Sequence, residues 1–529
     1  MADGALVRIL GAMNRTHTIK LELLEAGNGL SGHAVDSGGV TRAFSGRLGL
    51  MHAIDELLGA PSPTEEDPMD STETRPRAAR AGALRRLIAG PVLAFGDAGY
   101  EDARRTFNLT VDQRPALIAE PHDREAVAAV VRFARAEGLR VAPRGTGHNA
   151  GPLGPLDGTV LLKTDRLDRA HVDGAARLAR VGAGARWQDV VPTASELGLA
   201  ALHGSTPDVS IAGYTLGGGM GWYARRHGLA ADRVRAIELV TADGEVRQVD
   251  GAAEPELFWA LRGGGGNFGV VTALEFELLP IPAVFAGALF FPIERAAEAL
   301  HAWREWTATV PEEVTSVGRL LRFPPLPQVP EHLRGRSYAL VEAVFLGPEA
   351  AGRELIAPLC ALGPAMDTFA TVPPAGIAEL HMDPREPAPT ASGHALLGSL
   401  PAAAIDSLLA AAGPDSGCGL LSVELRHTGG ALGRSRPGHG ALASLPGQFA
   451  SFAVGLAAPE AAARSEEDLA RVAAATAAYE VGHYLSFVER ATVPEACFDP
   501  DSAARLRAAR DAYDPERLFQ PNHEIGAGR

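Results

Sequence analysis

Residues 143–149 read Pro143-Arg144-Gly145-Thr146-Gly147-His148-Asn149, and three more glycine-dense stretches follow: Gly182-Ala183-Gly184, Gly217-Gly218-Gly219-Met220-Gly221, and Gly263-Gly264-Gly265-Gly266-Asn267-Phe268-Gly269. Glycine, with no Cβ, lets backbone N–H groups converge on an anion. A ligand that needs several such turns at once is a dinucleotide, whose pyrophosphate is held by amides rather than side chains. Arg144 would add charge to the first loop. Each stretch taken alone has a plainer meaning; residues 217–221 also read as a tight bend in a strand.

The better-known nucleotide and hydrolase signatures are missing. Gly182-Ala183-Gly184 continues as Ala185-Arg186-Trp187, so the third glycine of GxGxxG is absent, and the chain has no GxxxxGK[ST], HExxH or GxSxG. A Rossmann NAD site, a P-loop, a zincin and a serine hydrolase therefore lack their anchors.

Working outward, 529 residues exceed what one core fills and imply two or three domains. A net charge of −15, from 49 Lys+Arg against 64 Asp+Glu, repels nucleic acid and anionic lipid, so neither is expected as a partner. Cys360, Cys418 and Cys497 stand far apart without a CxxC pair, which argues against a disulfide framework or a metal centre. Residues 1–20 lack an apolar h-region, and no run of about 18 apolar residues occurs. The expected location is the cytoplasm.

The patterning divides the chain into five stretches. Residues 1–60 read as a small unit, with strands at 18–24 and 32–35 around a Gly-Asn-Gly turn and a helix at 48–58. Residues 61–89, polar, Pro-punctuated and without periodicity at their start, read as a linker. Residues 90–280 alternate strands and helices, with 116–119 extended, 124–136 helical and 139–143 extended. Residues 281–480 have longer units: strands at 285–291, 337–345, 420–427 and 449–454, helices at 295–308, 349–361, 402–411 and 466–477. That rhythm predicts an antiparallel sheet backed by helices. Residues 481–529 read as a tail that packs back over the first domain. The fold class is α+β.

In this order the motifs resemble the FAD-binding, PCMH-type domain of the vanillyl-alcohol oxidase and berberine-bridge-enzyme-like oxidoreductases. The likeness runs through residues 144–149, then 181–187 (VGAGARW), 204–209 (GSTPDV), 217–221 and 256–272 (ELFWALRGGGGNFGVVT). It returns at 513–522 (YDPERLFQPN). It covers about residues 92–280 closely and 481–525 reasonably, and the middle domain only in outline. The resemblance implies a two-part FAD domain completed by the C-terminal tail, with a substrate domain of antiparallel sheet and helices between. It places the FAD contacts on Arg144, Gly145, Thr146, Gly147, Asn149, Gly204, Ser205, Asp208, Val209, Gly213, Gly217, Gly218, Val271 and Asn522. It makes His148 the covalent attachment to the flavin 8α-methyl. Some relatives add a second bond through a cysteine at the position of Thr206; with no cysteine before Cys360, a bicovalent flavin is not expected here.

For catalysis the resemblance points to a C-terminal Tyr-x-Asn pattern, which stands here as Tyr484-Leu485-Ser486. Tyr484 is the candidate proton acceptor, and a tyrosine whose ordinary pKa is about 10 needs a cation or a donor beside it to serve near neutrality. Glu424, Arg426 and Thr428 alternate along the strand at 420–427 and share one face, with Leu425 and His427 on the other. Arg426 or His427 would supply the cation or bind an anionic substrate, unless these are solvated charges. The implied activity is oxidation of a small organic substrate, such as an alcohol, a sugar or a natural-product intermediate, with oxygen as acceptor. A dehydrogenase, an oxidative cyclase or a silent flavin-binding protein are the alternatives. The N-terminal unit is a candidate for binding a protein partner.

Overall fold

The computed structural model describes the backbone of residues 5–10, 16–23, 31–35, 41–45 and 71–526. The chain divides into two compact units, Met1–Pro76 and Arg77–Arg529.

In the first unit, strands Ala5–Leu10, Thr16–Leu23, Ser31–Val35 and Thr41–Ser45 form an antiparallel sheet in sequence order. Two of these strands were expected; the outer pair was not. The helix expected at 48–58 lies outside the described residues.

The linker expectation is corrected over its second half. Residues Ser71–Arg85 form a helix. Its C-terminal half carries Ala81 and Leu84, followed by Ile88, all buried in the same core as Val92, Leu117, Val127 and Val160. The spacing of three and four residues makes one apolar stripe, which the charged, Pro-containing residues before it obscure.

The larger unit has three sheets. In the first, strands Leu117–Ala119, Thr159–Lys163 and Arg140–Arg144 run parallel, with Val92–Leu93 antiparallel on the edge. Helix Arg124–Ala136 makes the crossover; Asp123 caps it, accepting from the Ala126 amide at 2.8 Å, and Val127, Val130, Val131 and Ala134 face the sheet. The second sheet is antiparallel, in the order Val246–Asp250, Val234–Val240, Val270–Glu277, Leu178–Gly182, Ala170–Asp173.

The third sheet is antiparallel and has nine strands. Its centre pairs Ser337–Phe345 with Val314–Arg322, then Ser422–His427, then Phe449–Leu456, then Thr390–Leu397. Helices Ala296–Thr307, Glu349–Cys360, Ala402–Ala412 and Ala462–Thr476 match the expected segments to within a few residues. Trp303, Leu300, Ile405, Leu408 and Leu469 from three of them are buried with sheet residues Leu289, Val341 and Val423. One face of the sheet thus carries the apolar core.

The tail returns to the first domain as expected, through an unexpected helix, Pro500–Tyr513. Phe519 bridges Val141 in parallel, and Arg140 donates to the carbonyls of Arg517 and Phe519 at 3.1 and 2.8 Å. Asn267, from the glycine-rich motif, donates to the His523 carbonyl at 3.0 Å and accepts from the Ile525 amide at 3.0 Å.

Candidate active site

Strand Arg140–Arg144 delivers the chain into the loop at 145–149. Gly145 is pressed onto the next layer: a Cβ there would stand 2.8 Å from Cβ of Ser210. Gly147 has φ +78°, the left-handed region that favours glycine. Arg144 is 6% exposed and donates to the carbonyls of Arg104 (2.8 Å) and Ala103. Its guanidinium thus ties the loop's entry to the segment at 103–104.

His148 stacks on Phe107, with centroids 4.0 Å apart and planes at 30°, and its ring has no hydrogen-bond partner among the described residues. Burial lowers its pKa, against the opposing charges of Asp208 and Asp383, so the imidazole is neutral and nucleophilic near pH 7. Asn149 donates to the carbonyls of Leu485 and Ser486 at 3.2 and 3.4 Å, while its Oδ1 is buried without a partner among the described residues.

The second loop crosses nearby. Ser205 and Thr206 both donate to Asp383 Oδ2 at 2.7 Å, and Oδ1 of Asp208 is buried without a partner among the described residues. Thr146 Oγ1 accepts from the Ser210 amide at 3.4 Å, and the Val209 carbonyl accepts from the Trp187 amide at 3.2 Å. A Cβ on Gly204 would touch the Tyr214 ring at 3.0 Å, whereas one on Gly213 would meet nothing within 4 Å. Residues 217–221 follow the short helix Ile211–Leu216 rather than bending a strand. Gly218 has φ +112°, and a Cβ there would be 2.8 Å from Leu442 and 3.4 Å from the Tyr484 hydroxyl.

Tyr484, 2% exposed, joins these loops. Its hydroxyl accepts from the Gly219 amide at 2.9 Å, and its own amide donates to His394 Nε2 at 3.0 Å. Ser486 donates to the Gly217 carbonyl at 3.1 Å. Burial raises the phenol's pKa; the Ser486 hydroxyl, the Gly219 and Met220 amides and Arg426 pull it back. His148, Asn149, Gly217, Gly218 and Tyr484 are drawn together by these contacts. The Val271 side chain is instead 5% exposed in the domain core, and Asn522 makes no side-chain hydrogen bond among the described residues.

A charged layer from the large sheet lies beside this cluster, and most of its members had no sequence signal. His381 is 2% exposed, with Nδ1 2.6 Å from Glu342 Oε2 and Nε2 2.7 Å from Glu424 Oε2. Arg426 donates to Glu424 Oε1 at 2.7 Å and sits 4.9 Å over the Phe487 ring, the same ring that Tyr484 meets edge-on at 5.2 Å. Glu424 and Arg426 therefore share a face, as the alternation predicted, and they are an ion pair with Glu424 buried and Arg426 partly so. His427, on the other face, stacks on Phe449 at 5.4 Å. Arg319 donates to the His381 carbonyl at 2.9 Å and lies 3.7 Å from Glu342. His381 and Asp383 come from an irregular loop, where no periodicity marks a buried residue.

Residues 115–250 match the family described as FAD binding domain. The chain is 38% identical over 195 residues to (R)-6-hydroxynicotine oxidase of Paenarthrobacter nicotinovorans, an alignment spanning 37% of this chain and 43% of that relative. It thus spans less than half the length of that curated relative. The solved structure of 6-hydroxy-D-nicotine oxidase from Arthrobacter nicotinovorans superposes with a TM-score of 0.71 at 26% identity, covering 83% of this chain and 98% of the other. Acremonium strictum glucooligosaccharide oxidase, described with a 6-S-cysteinyl, 8α-N1-histidyl FAD, superposes with a TM-score of 0.70 at 23% identity, covering 85% and 98%.

Proposed function

This chain carries an FAD-binding domain of the vanillyl-alcohol oxidase and berberine-bridge type, and from that premise we propose that it oxidises a small hydroxylated organic substrate. In this reading FAD is attached once, to His148, Tyr484 accepts the substrate's proton, and oxygen is the final acceptor. The observation that carries it is the buried Tyr484 hydroxyl, bonded to the Gly219 amide at 2.9 Å.

The residues suit the cofactor. A neutral imidazole with no partner among the described residues is poised to form a covalent bond. The buried oxygens of Asn149 and Asp208, unpartnered among the described residues, need donors, which a nucleotide supplies. Gly147, at φ +78°, lets the backbone of the first loop turn toward a ligand, whereas the amides of Gly217 and Gly218 already donate to the Gly213 and Thr215 carbonyls at 3.3 and 3.0 Å. Thr206 offers a hydroxyl, already given to Asp383, where a second attachment needs a thiolate; single attachment follows.

When bound, FAD supplies the hydride acceptor and the route for electrons to oxygen. The chain's own residues do the rest. The Gly219 amide holds the phenol oxygen in place; burial raises the phenol's pKa, and Arg426 opposes that rise and favours the ionised form that takes the hydroxyl proton as the C–H bond breaks. His394 fixes the tyrosine's backbone. The sheet beside Tyr484 buries these groups and excludes water, which strengthens each charge interaction. No helix among the described residues is long and apolar enough to cross a membrane, and Cys360, Cys418 and Cys497 are all unpaired.

The test is an absorption spectrum of the purified protein before and after acid precipitation, followed by a screen for peroxide release over alcohols and oligosaccharides. Yellow colour that stays in the pellet, and peroxide formed with substrate loss, support the reading. A colourless protein unable to take up FAD overturns it.

A further inference from the structure

The charged side chains around His381 balance. Glu342, Asp383 and Glu424 supply three carboxylates, and Arg319 and Arg426 two guanidiniums. Both ring nitrogens of His381 are within 2.7 Å of a carboxylate oxygen. Two carboxylate acceptors can be satisfied at once only if both nitrogens carry a proton, because a neutral imidazole has one donor. The set is neutral with His381 charged and carries one surplus negative charge without it.

We propose that His381 is a positioning residue for the oxidation: an imidazolium, clamped between Glu342 and Glu424, that sets the net charge of the layer over the flavin site. Held by His381, Glu424 keeps Arg426 fixed over Phe487, beside Tyr484. The effect is electrostatic and acts on whatever negative charge develops beneath, whether on the phenol or on the reduced cofactor. In a buried site one such charge outweighs several exposed ones. The groups facing His381 are Arg319, Glu342, Glu424 and Arg426 from three strands, Asp383 from its own loop, and the Trp222 ring edge at 5.9 Å. Burial and Arg319 push its pKa down, but the three carboxylates bring it up to about 9.

This inference rests on the flavin lying beneath that layer, so its test uses the flavin and needs no substrate. Sulfite, an anion that adds to oxidised flavin and bleaches it, is the probe, with the midpoint potential of the bound flavin as the second measurement. In His381→Gln holoenzyme, sulfite binds about tenfold more weakly at pH 7 and the potential falls. Both differences close as the pH passes 9, where the native residue loses its own proton. His381→Lys, which keeps the charge, restores both values. Should His381→Gln fail to fold, Glu342→Gln moves both quantities the opposite way. Equal sulfite affinity and equal potential in native and variant proteins overturn the proposal, as does a loss in His381→Gln that stays constant across pH. Protein that holds no flavin defeats the cofactor reading instead, and that is seen in the spectrum before sulfite is added.

Discussion

At the scale of single residues, Tyr484 and His381 make opposite demands on pH. Tyr484→Phe keeps the ring that packs against Phe487 and removes only the oxygen bonded to Gly219. Its kcat should fall by about 10²–10⁴, the usual contribution of one positioned acid or base, with flavin content unchanged; turnover near the native value would remove Tyr484 from the mechanism. His381 bears on stability. Its folded pKa, about 9, lies above the ordinary histidine value of 6.5. Its charged contacts therefore stabilise the fold in full below about pH 6.5, and that contribution drains away as the pH rises through 9. Melting curves of native protein should show Tm falling across that window, and the fall should be missing from His381→Lys, whose charge persists. His148 was legible from its motif, whereas His381 was not, because a lone histidine in an irregular loop carries no local mark of what surrounds it.

Among the elements, the helix Ser71–Arg85 shows how tertiary packing overrides local composition. Leu84 has no exposed surface in the core shared with Val127 and Val160. Leu84→Ala should cost about 2–5 kcal/mol, the range for emptying a buried leucine site. Denaturant unfolding checks this; a change under about 0.5 kcal/mol would mean the helix is not docked. The strands and helices of the large sheet were legible because both have strong periods, two and near 3.6. Val314–Arg322, in the middle of the sheet, and Thr390–Leu397, next to its edge, were missed. Each carries polar or glycine residues on its path, such as Arg319 and His394, which belong to the buried polar layer rather than to the apolar core.

For the molecule as a whole, the division at Pro76 predicts that the larger unit stands alone. A chain starting at Ser71 should fold, retain flavin and keep its turnover, as read by melting and peroxide release. One starting at Ile88 should be unstable, because it removes Ala81 and Leu84, which are buried in the core. Failure of the chain starting at Ser71 to fold would mean that the larger unit needs the N-terminal one. Assembly of the site also depends on long-range closure: Asp383 meets Ser205 and Thr206 across 178 and 177 residues, and Asn149 meets Leu485 across 336.

The sequence by itself determined the α+β class and the glycine loops at 145–147 and 217–219, and its family resemblance singled out His148 and the segment at 513–522 through which the tail returns. The first two are local: a missing Cβ or a short period is present in the chain before it folds. Only the tertiary structure decided that Arg144 braces a loop, that Glu424 and Arg426 are an ion pair, and that His381 and Asp383 belong to the site. Those assignments turn on which charges are buried together, and burial is a property of segments far apart in sequence that share no period.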